Sequence, residues 1–242
     1  ATSNLSQSTV KLRLFSANLV LIKSLYLIMS VTMPLTAVDS RHYIEFLGVK
    51  ALRSTHPGVR KLKRQQQGLN SAHGNKVWRS SFVLMDYLTT YPPIENTEVL
   101  DIGCAWGLTG IFLTKEYGAR VTGIDIDQSV APFLDLQASA NNCHINFEAR
   151  GFESLSAREL SSFSTIIGTD ICFWDELTGP LFEMVELGIN AGVNRIIIAD
   201  PGRPPFWNLV DQCMTQLNTE VVTRRIYQPW KTEKYILIIN QP

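Results

Sequence analysis

Residues 98–127, EVLDIGCAWGLTGIFLTKEYGARVTGIDID, constrain the fold more than any other stretch. The first five residues have the apolar run of a strand buried on both faces. Gly103, Ala105 and Gly107 follow at alternate positions, and Leu108, Ile111, Phe112 and Leu113 then take up helical spacing. The chain therefore turns where its side chains are smallest, which lets backbone N–H groups at a helix N-terminus approach a ligand. Gly118 is the expected helix C-cap, and residues 120–124 form a second strand with Asp125 at its carboxyl end. An acidic residue there accepts hydrogen bonds from ribose hydroxyls, so the stretch predicts a parallel α/β sheet holding a ribose-bearing cofactor.

A dinucleotide site would show G-x-G-x-x-G, and only Gly103 of that pattern is in place, which puts NAD second. Asp101, Gly103, Ala105 and Gly107, followed by Val121, Gly123 and Asp125, instead resemble the class I S-adenosylmethionine-dependent methyltransferases. The resemblance runs from about Lys76 to the C-terminus. It implies a Rossmann-like three-layer α/β sandwich with a seven-stranded, mostly parallel sheet whose last strand is antiparallel. It also implies S-adenosyl-L-methionine as cofactor, bound by Asp101, Gly103, Ala105, Gly107 and Asp125. Residues 74–88, GNKVWRSSFVLMDYL, resemble the segment before the first strand in the family 16 protein-lysine methyltransferases. Trp78 is thereby carried over as a cofactor contact, with ordinary core packing as the alternative. Where the larger class often places an acid beside the adenine, this chain has Gly151. The backbone N–H of Phe152 and the side chain of Ile126 are the adenine contacts that remain.

Residues 163–169 read as a further buried strand delivering Asp170 to the same sheet edge, where ligands of open parallel sheets collect. Asp170 to Phe173 fits the Asp/Glu-x-x-Tyr/Phe pattern of family 16, which implies a catalytic role for Asp170: orienting an acceptor amine or taking its proton. The plain alternative is a cap for a helix expected over residues 175–190. The ADPGRP stretch from Ala199 resembles a loop of the enzymes that methylate lysines of the electron-transfer flavoprotein β subunit. Two strands at about residues 220–227 and 234–239 complete the sheet. A lysine acceptor is the first reading; a small-molecule methyltransferase and a cofactor-holding module without chemistry are the alternatives.

Charge divides the chain. Residues 1–79 hold 12 Lys and Arg against Asp39 and Glu45, leaving 10 basic against 20 acidic residues in the remainder. An acidic domain attracts basic partners, so a basic segment of a protein substrate is the expected partner, with a small-molecule acceptor as the alternative. The basic run near Arg60 lacks interleaved aromatics, which argues against nucleic acid. Cys104, Cys143, Cys172 and Cys213 lack metal-ligand spacing, so no metal is expected.

The sequence is divided into an apolar extension over residues 1–38, a basic helical segment over 39–74 and the methyltransferase domain over 75–242. Within the extension, residues 14–33 admit three readings: a signal peptide, a membrane anchor interrupted by Lys23, or a presequence-like extension, which is favoured. A cytoplasmic protein is expected, with a membrane partner only if residues 14–33 are an anchor. Residues 39–52 are expected to be a short amphipathic helix, and Asn75 the cap of a helix through Tyr87.

Overall fold

A computed structural model describes residues 37–66 and 76–242. The apolar stretch 14–33 and the expected cap Asn75 lie outside the described residues. Thr36–Pro242 forms one compact unit. It opens with β1 (Val38–Asp39), β2 (Tyr43–Phe46) and β3 (Val49–Leu52), which pair antiparallel.

This three-stranded sheet replaces the helix expected over residues 39–52. The competing signal is a period of two. Ile44 and Phe46 point inward around Glu45, and Val49 and Ala51 point inward around the exposed Lys50. Leu47 and Gly48 both take left-handed φ, 51° and 72°, and close a two-residue hairpin between Phe46 and Val49. A helix would have to give up that turn. The sheet packs Ile44, Phe46, Val49 and Ala51 into the same core as Phe82, Leu84 and Phe112.

Helix α1 (Pro57–Gln65) follows, with Pro57 in its first turn, and then α2 (Arg79–Thr90). The main sheet consists of β4 (Glu98–Ile102), β5 (Arg120–Asp125), β6 (Asn146–Ala149), β7 (Thr165–Thr169), β8 (Arg195–Asp200), β9 (Thr219–Ile226) and β10 (Thr232–Asn240). Between them run α3 (Leu108–Tyr117), α4 (Ala131–Ser139), α5 (Ala157–Leu160), α6 (Thr178–Asn190) and α7 (Pro204–Gln216). The strand order is β6-β5-β4-β7-β8-β10-β9, with β10 antiparallel to both neighbours. The expected seven-stranded, mostly parallel sheet is what the chain builds.

The central strands are apolar on both faces because helices cover both. Along β8, Ile197 and Ala199 enter the core shared with α2 and α3, while Ile196 and Ile198 enter the core shared with α6 and α7. The edge of the hairpin is sealed by amides. Asn141 Oδ1 accepts from Lys50 N at 2.8 Å and Gln137 Oε1 from Leu52 N at 2.8 Å. These bonds satisfy strand donors that an unpaired edge would leave open. After β4 the chain adds β5 and β6 on one side, then crosses back to β7 on the other. A crevice forms outside the carboxyl ends at that reversal.

Candidate functional site

A cavity of about 260 Å³ occupies the crevice. Of the residues expected from sequence, it brings together Trp78, Gly103, Ala105, Asp125, Ile126, Phe152 and Asp170. Asp101 and Gly107 are not among the lining residues; they shape the turn from behind. Asp101 is buried in β4, its carboxyl held by the Gly110 N–H, and burial together with the nearby Asp125 carboxylate pushes its pKa up to about 7. Gly107 stands at φ 68° as the N-cap of α3.

The turn after β4 has a specific backbone. Gly103 sits at φ 61°, and a Cβ there would come within 2.6 Å of Ile171 Cγ2. Ala105, at φ 46°, is also left-handed, and this aims its N–H at Asp125 Oδ2, 3.0 Å away. Asp125 Oδ1 accepts from Asp127 N at 2.9 Å. The carboxylate is thus fixed at the carboxyl end of β5, and each oxygen keeps a lone pair for a further donor. Burial raises the Asp125 pKa, while the N–H groups of Asp127 and Ala105 pull it back toward the ionised form. Cys104 fills the turn beneath, its thiol pushed up by burial, as befits a packing residue.

The loop after β6 closes one wall. Arg150 anchors it through Glu159 at 2.7 Å, Ser154 Oγ at 2.9 Å and Ser154 O at 2.8 Å. A side chain at Gly151 would run into the Glu153 carboxylate. Glu153 is exposed and could swing aside, so the contact does not by itself require glycine, and Phe152 takes the position on the cavity wall.

The other wall centres on Asp170, which is 6% exposed and left-handed at φ 56°. It does not cap the helix after β7, because the short turn Asp175–Leu177 and then α6 begin beyond Trp174. Its Oδ2 instead accepts from Ser80 N at 3.2 Å, in the first turn of α2, and its Oδ1 accepts from Arg203 Nη2 at 3.2 Å. Arg203 comes from the ADPGRP stretch, where buried Asp200 folds the loop by accepting from Gly202 N, Arg203 N and Arg203 Nη1. The same guanidinium lies 4.1 Å from the centroid of Phe173, whose ring meets Trp78 edge-on at 5.3 Å. Trp174 packs on Phe173 and is half exposed at the cavity mouth. Phe173, Trp174 and Arg203 thus join the candidate site, although Phe173 and Arg203 entered the sequence analysis only as members of motifs and Trp174 was given no role. Their signals were the aromatic pair after Asp170 and the lone Arg between prolines.

Asp125 and Asp170 stand at the ends of strands separated only by β4, so about 10 Å apart at two strand spacings. The cavity therefore has a carboxylate at each end, Asp125 tied to backbone N–H groups and Asp170 set among aromatic rings. Among the described residues no cluster of His, Cys, Asp and Glu could hold a metal ion, and no helix is long and apolar enough to cross a membrane.

Comparison with known proteins agrees with this geometry. Residues 99–186 match a methyltransferase-domain family. The chain is 29% identical over 131 residues to the electron transfer flavoprotein beta subunit lysine methyltransferase of Xenopus laevis, covering 53% of this chain and 52% of that protein. It is 27% identical over 84 residues to a ubiquinone biosynthesis O-methyltransferase of Xanthomonas euvesicatoria pv. vesicatoria (strain 85-10), covering 35% of each. An rRNA methylase from Streptococcus thermophilus shares the fold with a TM-score of 0.52 at 13% identity, covering 68% of this chain and 98% of that one. The matched stretches span about half of the first relative and about a third of the second. Residues 99–186 are thus similar to a methyltransferase domain, and the seven-stranded sheet around them is a fold shared with solved methyltransferases.

Proposed function

We propose that the protein transfers a methyl group from S-adenosylmethionine to an amine, the side chain of a protein lysine. One observation carries the reading: a single cavity holds the ribose acceptor Asp125 and, two strands away, a buried Asp170 carboxylate beside Trp78, Phe173 and Trp174. The bound cofactor supplies an electrophilic methyl group on sulfur. The chain's own residues supply alignment. Asp125, Gly103 and Ala105 fix the nucleoside, and Phe152 and Ile126 flank its base. The Asp170 carboxylate and the aromatic faces draw in the lysine ammonium, and once it has given up its proton, to Asp170 or to water, the neutral amine attacks the methyl carbon as the carbon–sulfur bond breaks and S-adenosylhomocysteine leaves. Asp170, held from behind by Ser80 N and Arg203, points a fixed acceptor at the amine N–H and orients its lone pair. The 29% identity to a lysine methyltransferase supports the same acceptor.

A small-molecule hydroxyl is the second reading, favoured by the likeness to ubiquinone biosynthesis O-methyltransferases. Incubating purified protein and a cell extract with methyl-labelled S-adenosylmethionine separates the two. The lysine reading expects label in a protein band that survives as methyl-lysine after hydrolysis. Label confined to metabolites overturns it, and no label at all points to a module that holds cofactor without chemistry.

A further inference from the structure

A second cavity, of about 380 Å³, lies between the N-terminal sheet and α2. Arg53, Lys76 and Arg79 line it together with the rings of Phe82, Trp106 and Trp230. None of its described lining residues is acidic. The cofactor cavity has the opposite balance, with Asp125, Asp127, Glu153 and Asp170 against Arg150. Arg53 pairs with Asp39, which is itself exposed to solvent. Lys76 and Arg79 form no ion pair among the described residues; each rests on an indole, Lys76 Nζ 3.9 Å from the Trp78 centroid and Arg79 Cζ 5.1 Å from that of Trp230. A guanidinium held over a ring keeps its in-plane N–H fork for a carboxylate.

The two cavities share a wall. Trp78 is extended, at φ −96° and ψ 144°, so Val77 and Arg79 face away from it. Trp78 lines the cofactor cavity while Val77 and Arg79 line the second one. Consecutive Cα atoms lie about 3.8 Å apart, so the two spaces open within about 10 Å of each other, the span of three residues of extended peptide. We infer that this basic, aromatic groove seats an acidic segment of the protein acceptor, with a carboxylate side chain two or three residues from the methylated lysine. The inference rests on the lysine reading above and adds a selectivity rule to it: the amine enters an acidic pocket while its neighbour enters a basic one.

Fluorescence anisotropy on the full chain saturated with S-adenosylhomocysteine tests it. The probes are two labelled peptides, one with a lysine flanked by glutamates and one with the same lysine flanked by glutamines, and free glutamate is the competitor. The glutamate peptide should bind about ten-fold more tightly, with an advantage that shrinks as salt is added. Arg79→Glu and Arg53→Gln should each weaken it about five- to ten-fold while leaving the glutamine peptide, the cofactor affinity and the melting temperature unchanged. If Arg79→Glu lowers the melting temperature, Arg79→Gln replaces it, with about half that effect expected. Equal binding of the two peptides, or an advantage that survives both substitutions, overturns the inference. Displacement by free glutamate at equal concentration overturns the peptide commitment in favour of a small carboxylate. Because binding is scored without turnover, a glutamate peptide that binds as expected yet is never methylated sinks the lysine reading and leaves the groove standing.

Discussion

One end of the cavity is lined mainly by a contiguous run, residues 103–127, joined by Phe152 from the loop after β6, whereas the other gathers Trp78, expected as a cofactor contact, and Ser80 from the start of α2, Asp170 and Phe173 after β7, and Arg203 after β8. The first is a matter of backbone: left-handed Gly103 and Ala105 direct an N–H at Asp125. The second is a matter of side chains brought from 90 and 33 residues away to one buried carboxylate. A site made of backbone tolerates loss of a side chain by losing only that side chain's bonds. A site made of a buried charge network loses its geometry when one member is changed, because the partners are left facing one another.

That contrast sets the expected order of effects. Asp170→Asn puts an amide where Ser80 N and Arg203 both donate, so one donor loses its acceptor, and the amine loses its charged partner. Methyl transfer at saturating cofactor should fall on the order of 10²–10⁴-fold, and a single-turnover assay that finds the parent rate would reduce Asp170 to a structural tie. Next comes the N-terminal sheet, which the structure makes part of the core. Phe46 is buried against Phe82, with ring centroids 5.8 Å apart, so Phe46→Ala should cost about 3–5 kcal/mol in denaturant unfolding. A loss below ~1 kcal/mol would mean that the sheet is an appendage.

A smaller effect concerns pH. The Asp101 pKa is raised to about 7 in the fold from an ordinary 3.8, so the folded state holds the extra proton between those values. The corresponding stability is complete below about pH 4 and is lost as pH rises through about 7. Asp101→Asn keeps an oxygen for the Gly110 N–H and has nothing to titrate. Its melting temperature relative to the parent should therefore rise between pH 5 and pH 8. A difference that stays flat across that range would remove Asp101 as the source.

The same contrast explains what the sequence made legible. The places of Gly103, Ala105 and Asp125 are read directly because a strand, a tight turn and a second strand follow in order, whereas Gly107, expected as a cofactor contact, stands behind the cavity as the N-cap of α3. Asp170 was legible as the end of a strand, but its partners were not, since nothing local links it to Ser80 or Arg203. Asp101 falls between the two cases: its place in the pattern is visible, while its distance from the cavity depends on how α3 packs Gly110 over it. The N-terminal sheet was misread as a helix because Tyr43, Phe46, Leu47 and Val49 satisfy a helical stripe as well as a strand pattern. The decision lay in the positive φ of Leu47 and Gly48, a turn whose stability comes from the core beneath it.

The division of labour between the two ends can be measured by calorimetric titration of S-adenosylmethionine into the parent, Asp125→Ala and Asp170→Asn. Hydrogen bonds to a charged acceptor are worth about 1.5–3 kcal/mol, so Asp125→Ala should weaken binding about ten-fold or more. Asp170→Asn should bind within about two-fold of the parent, because its carboxylate is committed to Ser80 and Arg203 and faces the acceptor. Unchanged affinity in a folded Asp125→Ala protein, or loss of cofactor in Asp170→Asn, would contradict the account.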